Sequence, residues 1–127
     1  MSELGERFAK AMAAKDATVL GELLAAEVDF KALTPQRFWE AGTPDEVVAV
    51  FFGSWFGPER EIRSLLDSRT GSVGERESVT YRLGLVTPDG PCEAEQRAYY
   101  GVVDGRIGFL RILCSGIMPV PAGPTPT

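Results

Sequence analysis

The chain has 127 residues, 44% of them hydrophobic and 24% charged, the balance of one globular domain able to bury its own core. A net charge of −5, with the basic residues scattered, argues against nucleic acid or an anionic membrane as the main partner. The absence of histidine excludes Ser-His-Asp and Cys-His nucleophilic machinery and removes the commonest transition-metal ligand, so no metal or other cofactor is expected.

The first segment carries Leu4, Phe8, Ala11 and Met12 at helical spacing. Asp16 is an N-cap for a second short helix with Val19, Leu20, Leu23 and Leu24 on one face. Val28 to Leu33 alternates and predicts a strand with Val28, Phe30 and Ala32 inward. Thr34-Pro35 ends it, and Arg37 to Glu40 is ambiguous, a candidate for a short second strand. Thr43-Pro44-Asp45-Glu46 combines an N-cap, a first-turn proline and a capping-box glutamate, so a third helix is expected from Asp45 to about Phe56, stopped by Gly57-Pro58. It is apolar nearly all round, as a helix buried on most sides must be.

Strands follow. Glu61–Thr70 and Glu77–Val86 are expected to pair across a turn at Gly71–Gly74. Thr87 to Pro91 is a turn cluster, Cys92–Val103 the next strand, and Asp104-Gly105 a type I′ hairpin signal leading to a return strand, Arg106–Ser115. Gly116 to Thr127 is proline-rich and has no core of its own, so a single domain over residues 1–119 with a tail over 120–127 is expected. Three helices followed by a meander of long strands make an α+β domain, with a curved, mainly antiparallel sheet wrapped around the helices as a cone whose open end is a pocket.

No run is apolar enough to span a bilayer and no signal peptide is read at the N-terminus. Cys92 and Cys114 are too few for a disulfide scaffold and are expected as reduced thiols, consistent with a cytoplasmic protein.

Two segments, TPQRFWEAGTPDEVVAVF (Thr34–Phe51) and EQRAYYGVVDGRIGFLRILCSG (Glu95–Gly116), resemble the nuclear transport factor 2-like superfamily, in particular its small bacterial SnoaL-like members. The resemblance implies a cone-shaped α+β barrel with a pocket and, commonly, a homodimer through the outer sheet face. It spans activities from ketosteroid isomerases and polyketide cyclases to epoxide hydrolases, and so specifies fold more than function. The isomerases' catalytic positions do not carry over. Their first-helix Tyr falls at Phe8 or Met12, their base near Phe30 to Leu33, and their second acid near Ala98 and Tyr99.

If Asp104-Gly105 is a two-residue turn, Tyr99 faces Leu110, Arg97 faces Ile112 and Glu95 faces Cys114, and these six share one face. By resemblance that face is the concave one. Glu95 and Arg97 would then be a ligand-orienting or acid–base pair, or a structural ion pair closing the cone. Asp67 and Arg69 share a strand face and are a pocket pair or a solvated one. Tyr81 and Tyr99 are hydrogen-bond donors to a ligand, or core rings. Trp39 and Trp55 grip a flat apolar ligand, or pack the core or a dimer face. Cys114 lacks a partner base for nucleophilic catalysis. The leading function is binding of a small apolar, cyclic ligand. The alternatives are an isomerase, cyclase or dehydratase using Glu95 or Asp67 as base, and a dimeric interaction module without ligand.

Overall fold

The computed structural model describes residues 2–120. Helix α1 (Ser2–Ala13) is followed by a sharp reversal in which Lys15 takes a positive φ of 53°. Asp16 then caps α2 (Ala17–Leu23), its carboxylate accepting from the Val19 N–H at 3.1 Å. Strand β1 (Leu24–Thr34) buries Val28, Phe30 and Ala32, as the alternation predicts. It pairs antiparallel with β2 (Arg37–Ala41), which settles the ambiguous segment as a strand.

Thr43 caps α3 (Pro44–Ala49), its hydroxyl accepting from the Glu46 N–H, and Glu46 returns a hydrogen bond from its carboxylate to the Gly42 N–H. The single helix expected to Phe56 is instead an α-helical turn that widens into a π-helical segment, Val50–Trp55. The Phe56 N–H reaches back five residues to the Phe51 carbonyl at 2.7 Å. The wider turn has a packing reason. In a regular α-helix, Phe56 would rotate away from Phe51, whereas the π turn keeps Phe51, Trp55 and Phe56 together in the interior. Two cations serve carbonyls at its end and just after it: Arg60 Nη1 donates to Trp55 O at 2.7 Å and Lys15 Nζ to Gly57 O at 3.0 Å.

Four long strands complete the sheet: β3 (Glu61–Val73), β4 (Arg76–Thr87), β5 (Gly90–Val103) and β6 (Arg106–Cys114). A short β7 (Met118–Pro119) pairs with the start of β5, so the tail from Gly116 begins as part of the sheet; residues 121–127 lie outside the described residues. The order is β2-β1-β6-β5-β4-β3, antiparallel throughout except where β1 runs parallel to β6. The first long hairpin turns later than expected, at Gly74-Glu75, with Val73 opposite Arg76. The sheet curls around α1, α3 and the π segment, and the interior is a mosaic of rings. Phe51 lies 6.0 Å from Phe8, 5.7 Å from Phe30 and 5.3 Å from Trp55, centroid to centroid, and Phe8 lies 6.1 Å from Tyr81. Edge and tilted contacts of this kind contribute beyond area burial alone.

The Asp104-Gly105 turn forms as expected, with φ of 52° and 79°. The register two residues inside it does not. Val102 pairs with Ile107 and Gly101 with Phe109, so Gly108 is an extra residue on β6. Beyond this bulge Tyr100 faces Leu110, Ala98 faces Ile112 and Gln96 faces Cys114. The pairing of Tyr99, Arg97 and Glu95 with these residues, expected from a plain hairpin, is therefore off by one, and a one-residue slip exchanges the two faces of a strand. Both strands carry a glycine at the bulge for steric reasons. A Cβ on Gly108 would sit 2.9 Å from Val103 Cγ2, and one on Gly101 would sit 2.5 Å from Arg76 Nη1. The room beside Gly101 lets Arg76 lie 3.8 Å over the Phe109 ring, with Arg111 4.0 Å from the same ring.

Candidate functional site

The bulge decides what the interior contains. Leu110, Ile112 and Cys114 face inward, as expected, but their partners are Tyr100, Ala98 and Gln96. Glu95 and Arg97 are exposed on the outer face and Tyr99 is half-buried there. Arg97 donates to Thr80 Oγ1 at 3.0 Å and lines a polar outer concavity with Tyr99 and Arg69. Asp67 is also exposed, 3.7 Å from Arg69, and the bulge in β3 leaves the two as a solvated pair. None of the carboxylates singled out from the sequence reaches the interior.

The interior polar group is one that sequence reasoning missed. Gln96 is fully buried. Tyr81, also buried, donates its hydroxyl to Gln96 Oε1 at 2.5 Å, which fixes the amide so that Nε2 donates to Cys114 Sγ at 3.3 Å. The Gly116 N–H donates to the same sulfur, also at 3.3 Å. Burial pushes the Tyr81 phenol well above its ordinary value, with the nearby Cys114 adding to the shift, so this hydroxyl stays a neutral donor. The alternation of β5, with Ala94, Gln96, Ala98 and Tyr100 apolar or uncharged between Glu95 and Arg97, is the signal that would have found it.

The chain Tyr81–Gln96–Cys114 ends at the open end of the cone. There a concavity of about 310 Å³ lies between the tip of β1–β2, the π segment and the turn after β6. Its walls include Trp39, Trp55 and Phe56, with Arg60, Cys114 and Ile117 across from them. Trp39 is half-buried, edge-on to Trp55 at 6.0 Å, and donates its indole N–H to Thr34 Oγ1. Trp55 is 5% exposed, and among the described residues its indole N–H has no hydrogen-bond partner. A buried donor without an acceptor costs about 1–3 kcal/mol, and native structures rarely leave one. The mouth therefore offers aromatic walls, a guanidinium and a thiol, and among the described residues no carboxylate lines it; the Trp55 nitrogen itself is buried behind the wall, out of contact with the concavity.

The other features are of different kinds. On the outer face Leu33, Phe38 and Leu113 are more than half exposed and surround an apolar hollow of about 190 Å³ with Tyr99 and Arg111. Arg111 also donates to both carboxylate oxygens of Asp29, and these bonds hold the Asp29 carboxyl below its usual range. Among the described residues, no group of three or more His, Cys, Asp or Glu side chains is placed to hold a metal ion, and no helix is long and apolar enough to cross a membrane.

The sequence matches no family profile and no curated protein. Solved structures match it over most of its length. A nuclear transport factor 2-like protein of unknown function from Mesorhizobium loti is 22% identical, with a TM-score of 0.61 over 91% of this chain and 90% of that one. An LEH-like epoxide hydrolase from M. tuberculosis is 13% identical, with a TM-score of 0.63 over 89% and 80% of the two chains. A protein from work on the de novo design of diverse pocket structures is 18% identical, with a TM-score of 0.65 over 89% and 96%. At these identities the likeness is one of fold, and the chain has the cone-shaped nuclear transport factor 2-like α+β fold.

Proposed function

We propose that this chain is a small-molecule binding protein whose ligand, apolar and ring-bearing, sits in the mouth of the cone against Trp39 and Trp55. The observation that carries the reading is the mouth itself, a concavity of about 310 Å³ whose walls include Trp39, Trp55 and Phe56. Its volume is at the lower end of small-molecule sites, and apolar walls with a few oriented polar groups are their usual make-up. Arg60 stands at the same wall and suits a ligand bearing an acceptor or an anionic group. The enzymatic alternative loses its base, because Glu95 and Asp67 point to solvent. Two free cysteines suit a reducing compartment such as the cytoplasm.

The test is a ligand screen by thermal shift, using steroids, polyketide-like aromatics, terpenoids and fatty acids. A ligand at a hundred times its Kd adds about 2.7 kcal/mol of stability. An upward shift that is lost in Trp39→Ala supports the reading. No shift with any class refutes it.

A second reading, a dimeric interaction module without ligand, draws on two observations. The depth of the cone is filled by the chain's own rings, and Leu33, Phe38 and Leu113 lie exposed together on the outer sheet. A homodimer through that face is compatible with a ligand in the mouth.

A further inference from the structure

The outer face of the sheet carries a second concavity, of about 330 Å³, that shares no lining residue with the mouth. The registers of β3, β4 and β5 set out its walls as two adjacent cross-strand rows. Arg69, Thr80 and Arg97 form one row, and Gly71, Ser78 and Tyr99 form the other. Cross-strand partners share a face of the sheet, and all six line the hollow. The two arginines stand at the ends of their row with a hydroxyl between them, two strand spacings or roughly 10 Å apart at the backbone.

The positive charge of this hollow is unspent. Arg97 donates its Nε to Thr80 Oγ1 at 3.0 Å, which lays the guanidinium toward the middle strand, and among the described residues it forms no ion pair. Arg69 has Asp67 as its ionic neighbour, 3.7 Å from Nε and beyond hydrogen-bond distance, and 72% of its side chain is exposed. Among the described residues no carboxylate lines the hollow, although the chain as a whole carries a net charge of −5.

The floor is an independent observation. Gly71 sits inside β3, where a glycine weakens a strand and often marks the close approach of a ligand. Its φ is not positive, so backbone conformation does not require it. A Cβ at this position would lie 3.3 Å from Ser78 Oγ, crowding that hydroxyl. Its absence leaves Ser78 open to the hollow, with no hydrogen-bond partner among the described residues. Thr80 Oγ1 accepts from Arg97 and keeps its own proton to donate. Two guanidiniums and two hydroxyls offer more donors than the two oxygens of a carboxylate employ, and they suit the three acceptor oxygens of a phosphate ester. Tyr99, half-buried in the neighbouring row, supplies a ring beside that anion position.

We propose that this hollow binds small phosphate monoesters that bear a ring. Arg69 and Arg97 hold the phosphate over the Thr80 and Ser78 hydroxyls, and the esterified ring lies against Tyr99. The site is separate from the mouth, and each reading stands or falls without the other.

The experiment titrates the isotope-labelled full chain with phenyl phosphate, inorganic phosphate and benzoate at constant ionic strength, reading amide chemical shifts. Phenyl phosphate should give saturable shifts at Gly71, Ser78, Thr80 and Arg97, and should bind about fivefold more tightly than inorganic phosphate because its ring meets Tyr99. Arg69→Gln and Arg97→Gln should each weaken it about tenfold or more, the loss of a charge-assisted hydrogen bond. Asp67→Asn should tighten binding by removing the competing charge beside Arg69, and Gly71→Ala should weaken it by closing the floor. Arg82→Gln is the control, an arginine on the same face held near Glu93 at 3.8 Å, and should leave binding unchanged. Shifts that do not saturate, that survive both arginine variants, or that weaken equally in Arg82→Gln overturn the site. Inorganic phosphate binding as tightly as phenyl phosphate overturns the assignment to an ester, and benzoate binding as tightly overturns the assignment to phosphate.

Discussion

Replacing Tyr81 by Phe deletes one oxygen from the most buried polar contact in the cone. The hydroxyl donates to Gln96 Oε1 at 2.5 Å, and both residues are at most 1% exposed, so water cannot take its place at the surface. The amide oxygen is left without a donor, and the cost is about 1–3 kcal/mol. Gln96→Leu does the reverse: it keeps the volume but strands the Tyr81 hydroxyl and removes a donor from Cys114 Sγ, at a similar cost of about 1–3 kcal/mol. If the two acted separately the double variant would lose about 2–6 kcal/mol. Because both partners of one bond leave together, it should lose no more than either single variant, a coupling of about 1–3 kcal/mol. Urea unfolding followed by tryptophan fluorescence measures this. With a slope of about 2 kcal/mol per molar urea, a loss of about 2 kcal/mol moves the midpoint by about 1 M. Costs that add to within about 0.5 kcal/mol would refute the claim that this bond organises the interior.

Other outcomes follow from the same geometry. Phe51→Ala removes the ring at the centre of the aromatic mosaic and should cost about 3–5 kcal/mol in the same urea assay. Asp29 has its carboxyl lowered by the Arg111 hydrogen bonds, so its contribution is present above the unfolded aspartate value and lost as pH falls through the lower folded one. Wild type should thus exceed Asp29→Asn in urea midpoint at neutral pH, and the two should converge in acid. Burial raises the Tyr81 and Tyr100 phenols. The stability this provides is full below the unfolded tyrosine value and lost as pH rises through the folded values. Tyrosinate absorbance in the native protein should accordingly show two rings ionising late, joining the ordinary range on unfolding. If the exposed Leu33, Phe38 and Leu113 face pairs two copies, light scattering should show wild type as a dimer and Leu113→Glu, which places a charge among those side chains, as a monomer; a wild-type monomer refutes that pairing.

Much of the fold is legible in the residues because local signals and burial agree. Thr43-Pro44 starts α3, Asp104-Gly105 turns the last hairpin, and the alternation of Val28, Phe30 and Ala32 sets the inward face of β1. The parallel pairing of β1 with β6 is a long-range choice that neither segment announces. The π segment escapes periodicity, since a helix apolar on all sides gives no phase from which to read a wider turn. The site failed at one residue. Counting from the turn ignored Gly108, although a glycine inside a strand is itself a bulge signal, with Gly101 facing the same distortion from β5. That omission moved Glu95, Arg97 and Tyr99 into the cone and Gln96 out of it.

The exchange of faces changes the chemistry available as well as the residue list. With Glu95 and Arg97 inside, the cone would hold a charged pair able to move a proton. With Gln96 inside, it holds a neutral amide between a phenol that stays protonated and a thiol. An amide can orient but cannot exchange protons near neutral pH, so the deep interior is built to fix a position. What it fixes is Cys114 Sγ, at the point where packed aromatic rings give way to the concavity. The π segment contributes from the other side, since its wide turn buries Phe51 and keeps Trp55 and Phe56 in the wall of the concavity. Two irregularities, a bulge in β6 and a π turn after α3, thus act on the same place. A regular hairpin would have set Glu95 and Arg97 opposite Cys114 and Ile112 in place of Gln96 and Ala98, and a regular helix would have turned Phe56 away from Phe51.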